Sequence, residues 1–369
     1  MGHARNNDER FDFVRSIPHW GLPLVAVVGV LVVPFHWWYL VVAAGLYLVR
    51  MFVLTAGYHR YFAHRSYKTS RAFQLFLAVA GTTCVQRGPI WWTAHHRNHH
   101  RYTDTPKDVH SPADRGLWWA HVGWLMCRGT DTVDLAGVRD LTSVPELRWV
   151  EKYWILFPVG LALALLGIGG LGLLVWGFFV STTVLWHGTY TINSLAHRWG
   201  KVRYDTGDSS RNNWALALLT LGEGWHNNHH HYMGSARQGF FWWEVDITYY
   251  LLLVLQRVGL IWEMRSVPLR VRAAGLFIAD EERAQCAGVG AVRCAVGSQD
   301  PPVSSTCTAT HAPVESSSPP PRRRSPRTRG RGGCLQRPSG PPLLVRDDQL
   351  EVDNRTRRAT ARASTARPA

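Results

Sequence analysis

Apolar residues in this 369-residue chain come in blocks. After a polar lead over 1–16, the stretch from Ile17 to Thr55 is almost wholly apolar, broken at Pro34-Phe35-His36. An α-helix needs about 20 apolar residues to cross a bilayer, so this block is too long for one span and long enough for two. The pattern predicts helices near 18–34 and 37–55. Ala72 to Val85 is apolar but too short to cross, and is expected to lie buried or at the membrane interface. A second apolar block runs from Tyr153 to about Tyr190 and is interrupted by Gly167-Ile168-Gly169-Gly170-Leu171-Gly172. It predicts two further spans, near 153–167 and 171–190, joined by a very tight turn. Residues 248–262 are amphipathic and suit an interfacial helix. The polar blocks 56–152 and 191–247 each follow a pair of spans, so both return to one side. The predicted fold class is an all-α integral membrane protein, with four transmembrane helices under a helical cap, occupying 17–268. Beyond about 280, Ser, Pro, Arg and Gly dominate, as in Ser316-Ser317-Ser318-Pro319-Pro320-Pro321-Arg322-Arg323-Arg324. Such sequence cannot bury enough apolar surface to fold, and 280–369 is read as a low-complexity basic tail.

The mean hydropathy of −0.12 suits a soluble protein, but it averages an apolar body with this tail. The 18 Trp and 12 Tyr fit rings gathered at membrane–water interfaces. About half of the net charge of +15 falls after residue 280. The Arg runs there are not interleaved with aromatics, so the expected neighbour is membrane lipid and no nucleic acid. The Arg load places the polar blocks in the cytosol. Six cysteines without a CxxC read as reduced thiols. Met1 to Arg15 is polar and mixed in charge, unlike a cleavable signal. Gly167 to Gly172 matches GxGxxG, but it sits between apolar spans with no strand before it, so a glycine-rich hairpin is the better reading.

The chemistry lies in the histidines. Residues 91–104 hold four of them, and on a helix His96, His99 and His100 share a face. Matching clusters occur twice more: His59 with His64 at the end of the second span, and His226, His229 and His230 after Gly222-Glu223-Gly224-Trp225. Asn193 and His197 stand one helical turn apart after the fourth span. Nine clustered histidines exceed what one metal can use, and two metals with four or five nitrogens each would consume them. Such nitrogen-rich binding of a redox metal beside a membrane points to iron and O2. There is no HExxH of a zincin, and Glu223-x-x-His226 alone does not make a carboxylate-bridged bundle site. Glu223 is expected to orient an imidazole. A metal transporter would place ionisable groups inside the spans, where Arg50 is the one clear case.

HRYFAH, HRNHH and GEGWHNNHH, with Asn193-Ser194-Leu195-Ala196-His197 between the last two, resemble the membrane fatty acyl desaturases, specifically the stearoyl-CoA (delta-9) branch in its bacterial type. The resemblance runs from about 18 to 268. It implies two irons, with O2 as co-substrate, held by His59, His64, His96, His99, His100, His197, His226, His229 and His230, with Asn193 reaching one iron through a water. It implies a cis double bond placed in a long-chain fatty acyl thioester lying in a bent tunnel. Trp92 and Thr189 match residues that shape the bend, and Tyr47 and Met51 match those closing its end. Ala94-His95 stand where eukaryotic members carry Arg-Asp in the headgroup site, so coenzyme A, acyl carrier protein and a glycerolipid ester remain open as carriers. A di-iron hydroxylase remains the alternative enzyme. No His-Pro-Gly-Gly haem motif is present, which implies a separate ferredoxin- or cytochrome-like electron donor. The implied location is a bacterial cell membrane, with the active site facing the cytosol.

Overall fold

The computed structural model describes residues 10–274; the tail from 280 lies outside the described residues. Within them the protein is mostly helical. Helix α1 (Phe13–Val32) starts earlier than the expected 18, because the Asp12 carboxylate accepts a hydrogen bond from the Arg15 amide and caps it. Helix α2 (Trp37–Val53) runs on without a break as a π-helical stretch, Leu54–Ala63, which carries His59. The helix therefore extends beyond the expected end at 55, and its polar last turns are buried inside protein. After strand β1 (Lys68–Thr69) come α3 (Arg71–Thr82), α4 (Pro89–Tyr102), α5 (Pro112–His121), and the short α6 (Arg139–Thr142) and α7 (Pro145–Lys152). Pro89, Pro112 and Pro145 each open a helix, where the missing N–H has no intrahelical partner to lose.

Helix α8 (Leu156–Leu173) continues through a π-helical stretch, Leu174–Val180, into α9 (Ser181–Asn193). It is broken at Gly169 and Gly170, the latter at φ 63° and ψ −156°, a conformation only glycine takes readily. Leu165 packs with Val175, Trp176 and Phe178, so the chain folds back on itself at this break as a hairpin. Gly172 lets the hairpin approach α2: a Cβ there would collide with the Tyr39 ring. Helices α10 (Trp214–Leu219), α11 (His226–His231) and α12 (Ile247–Arg257) follow, and strand β2 (Ile261–Trp262) pairs antiparallel with β1, Lys68 opposite Trp262.

Among the described residues, three helical segments are long and apolar enough to cross a membrane: Phe13–Val32, Trp37–Ala63 and Leu156–His197. Their outer faces expose large apolar side chains, among them Leu24, Leu31, Val41, Ile168 and Leu171. Water would not tolerate so continuous an apolar face, and lipid does. Arg50, buried within the second segment, is held by Ser181, Thr182 (2.8 Å) and the Thr83 carbonyl (3.1 Å). With its donors met by hydroxyls and carbonyls, a charged side chain becomes tolerable at that depth.

Candidate metal centre

Each histidine cluster sits on a different piece of helix, and tertiary structure brings the pieces to one place. His59 lies in the π-helical end of α2, a deviation that recurs at functional sites because it turns side chains out of the regular helical register. His64 caps the same stretch. His96, His99 and His100 line one face of α4. The N-terminus of α4 is capped from another element: the Glu151 carboxylate on α7 accepts from the Ile90 amide (2.8 Å) and the Trp91 amide (3.3 Å). Gly88 leaves the room for that contact, since a Cβ there would strike Glu151. His197 ends the single turn Leu195–His197 after α9, and α11 supplies His226, His229 and His230.

The nine histidines fall into two groups whose ring nitrogens converge. His59, His64, His96, His100 and His229 form one, and His99, His197, His226 and His230 form the other. Within the first, the Nε2–Nε2 separations are 2.7 Å for His64–His96, 3.0 Å for His59–His229 and for His96–His100, and 2.9 Å for His100–His229. In the second, His197 and His226 approach to 3.0 Å. All the ligand atoms in either group lie within 4.8 Å of one another.

Four of the outward nitrogens have partners that fix their rings. His99 Nδ1 meets Asp108 at 2.9 Å, His230 Nδ1 meets Asp208 at 2.8 Å, and His197 Nδ1 meets Ser209 Oγ at 3.1 Å. His59 Nδ1 meets the Glu223 carboxylate. A carboxylate on Nδ1 assigns the proton to that nitrogen and leaves the Nε2 lone pair facing inward. Burial holds His64, His96, His100, His226, His229 and His230 well below the usual imidazole range, and the neighbouring imidazoles add to this, so the rings are neutral. His230 Nε2 is buried with no hydrogen-bond partner among the described residues. Neutral lone pairs aimed at one another repel, and a cation at each focus satisfies them. The donor set therefore fits two nitrogen-bound transition metals.

Behind the rings lies a layer of fully buried charge. Arg60 binds Glu223 Oε1 (3.0 Å), Asp246 (2.9 Å) and the Ala236 carbonyl (2.7 Å). Burial pushes the Glu223 carboxyl up, but His59 and Arg60 beside it bring it down to about 2. Gln238 joins this layer through Glu223 Oε2 (2.8 Å). Asp108 is held below the ordinary carboxylate range: burial raises it, and His110 and His99 more than offset that. His110 joins His99 and Asp108 in a third small group, although its spacing sets it apart from the clusters. Asp108, Asp208, Gln238 and Asp246 carry no sequence signal of their own; each comes from a loop or helix end.

A cavity of about 270 Å³ adjoins the centre. Met51, Trp92, Thr189 and Asn193 line it together with His59, His96, His99 and His226. The Trp92 indole donates to Gln86 Oε1 (3.2 Å), and the Gln86 amide donates to Thr189 Oγ1 (2.8 Å), tying α4 to α9 across the wall. Gln86 was not singled out by the sequence. Tyr47 is not among the lining residues: it stands beside Met51 against Gly188 and gives its hydroxyl to the Leu219 carbonyl at 2.5 Å.

The family profile described as fatty acid desaturase matches residues 35–252. The chain is 38% identical over 262 residues to an sn-1 stearoyl-lipid 9-desaturase of Anabaena variabilis, covering 70% of this chain and 96% of that one. It is 39% identical over 235 residues to a palmitoyl-monogalactosyldiacylglycerol delta-7 desaturase of Arabidopsis thaliana, covering 63% of each. An acyl-CoA C20 Delta5-desaturase of Anemone leveillei is 39% identical over 238 residues, covering 63% of this chain and 75% of that one.

Proposed function

The chain belongs to the fatty acid desaturase family, and from that premise we propose that it removes two hydrogens from adjacent methylenes of a long-chain acyl group, nine carbons from the carboxyl, at a di-iron centre held by the nine histidines. The observation that carries this reading is the division of those histidines into a five-nitrogen and a four-nitrogen group, one metal to each. Bound there, two irons with O2 and two electrons supply the oxidant that unactivated C–H bonds require. The balance is one CH2–CH2, one O2, two electrons and two protons giving one CH=CH and two waters. The electrons come from a separate ferredoxin- or cytochrome-like donor.

The protein's own part is binding, orientation and exclusion of water. Asp108, Asp208 and Glu223 hold imidazoles by their outward nitrogens. The Gln86 clasp fixes the wall beside the centre, where Trp92 stacks on His96 at 4.9 Å, so that one pair of methylenes is presented at a time. Asn193, the last residue of α9 and on the cavity wall with His226, would hold a water on one metal. The two arms of the 156–193 hairpin act as two spans, giving four in all, with the histidines on the cytosolic face. A relative matched over 96% of its length is named for a stearoyl-lipid, and a glycerolipid ester is the carrier we assign; an acyl thioester is the other arm of the test.

Chromatography of fatty acids from a host expressing the chain tests this. A new cis double bond nine carbons from the carboxyl is expected, appearing first in glycerolipids. A hydroxylated product, or an unchanged profile with the protein in the membrane, contradicts it; first appearance in the thioester pool moves the carrier assignment alone. Met51, fully buried on the cavity wall, closes the far end in this reading. Met51→Ala should admit roughly two to three more methylenes, since truncating a buried Met leaves a cavity of that order. The measurement is the product profile from mixed C14 to C20 substrates. An unchanged length preference in an active variant would leave Met51 a packing residue.

A further inference from the structure

One wall of the cavity is built of rings in succession from the metal centre outward. His99 lies 4.5 Å from His110 between ring centroids, His110 5.1 Å from Trp124, Trp124 5.5 Å from His95, and His95 4.4 Å from Trp91. The Arg87 guanidinium covers Trp91 at 4.9 Å, and Arg87 and Arg15 share Asp131. These two arginines are partly exposed, so this end of the wall reaches the surface, whereas Met51, elsewhere in the cavity lining, is buried.

Two nitrogens on the wall have an acceptor within the protein: Trp91 Nε1 and His95 Nε2 both reach the Thr130 carbonyl at 2.8 Å. Trp124 differs. It is 5% exposed, it lines the cavity, and its indole N–H is buried with no acceptor among the described residues. A buried donor left without an acceptor is costly, and a tryptophan can only donate. In an acyl ester the strong acceptor is the carbonyl oxygen. The ring-to-ring steps from His99 to His110 and from His110 to Trp124, 4.5 and 5.1 Å, together set the greatest separation that Trp124 can have from His99. The eight bonds from C1 to C9 of an extended acyl chain cover roughly 10 Å, at ~1.2 Å per bond as in an extended backbone.

We propose that the Trp124 indole N–H receives the carbonyl oxygen of the acyl ester, and so sets the carbon that reaches the metals by distance from that carbonyl. This rests on the desaturase reading above. The Ala94-His95 pair puts no arginine among the wall's rings from Trp91 to His99, and Arg87 and Arg15 at the outer end are engaged by Asp131, so the grip at Trp124 is a neutral hydrogen bond suited to an uncharged ester.

The test compares 1-stearoylglycerol with 1-O-octadecylglycerol, an ether of equal length without the carbonyl, on the full chain purified in detergent. Binding is read as thermal stabilisation over a ligand titration, without turnover. The wild type should bind the ester roughly tenfold tighter than the ether, the worth of one buried hydrogen bond. Trp124→Phe should bind the two equally, with affinity for the ether unchanged, and its products should spread the double bond over neighbouring positions. Equal binding of ester and ether by the wild type, which needs no variant to fold, overturns the proposal. So does an undiminished ester preference in Trp124→Phe. The desaturase reading fails separately, if the wild type forms no double bond.

Discussion

His99→Ala and His229→Ala are each expected to abolish desaturation while the protein still inserts in the membrane. Each removes one nitrogen from a different group, and a buried site with a missing donor holds its metal poorly and in the wrong geometry. Neither residue belongs to the apolar faces of the three candidate spans, so insertion has no reason to change. Asp108→Asn grades the effect. It keeps the shape but replaces the carboxylate that meets His99 Nδ1 at 2.9 Å, and a loss of about 10- to 100-fold in metal affinity or activity is expected. Immunodetection in membranes, beside product analysis, separates the two outcomes. Full activity in either alanine variant would remove that histidine from the centre.

The second large effect is on stability. Asp246→Ala should lower the unfolding free energy by about 3–5 kcal/mol, because it strips one partner from a buried ion pair and leaves charge unpaired. Asp246 is wholly buried, and besides Arg60 it accepts from the amides of Gln238 (2.7 Å) and Tyr249 (3.0 Å), the second being the cap of α12. The variant therefore loosens α12 and the Arg60–Glu223 pair behind His59 together, and a Tm lower by on the order of 10 °C is expected. Glu263→Ala, which breaks the exposed pair with Lys68, should leave the Tm where it is. Thermal unfolding in detergent checks both. Equal, small shifts would mean that the buried network does not hold the site together.

How far the sequence speaks depends on the range of the interaction. Spans show because lipid imposes a long, unbroken apolar run, and the glycine break at 169–170 shows because only glycine turns there without strain. His96, His99 and His100 show because one helix brings them together by spacing alone. Of the groups that hold the rings only Glu223 shows, and its partner does not. Glu223 precedes His226 by three residues, a local spacing, yet its carboxylate goes to His59 and Arg60 on α2. Asp208 reaches His230 from a loop, and Gln86 reaches Thr189 on another helix. Such pairings are set by packing between elements, which periodicity does not record. The π-helical continuation of α2 is likewise a product of its neighbours: nothing in Leu54–Ala63 as a string separates it from an α-helix that ends in a polar turn. Helical spacing likewise gives the face that Tyr47 shares with Met51 but not the Leu219 carbonyl that engages its hydroxyl.

Metal analysis of the purified, catalytically active chain tests the central claim most directly. Two irons per chain are expected, with one retained when His230→Ala removes a nitrogen from the four-membered group alone. A chain that forms the double bond at full rate while holding a single zinc and no iron would contradict it.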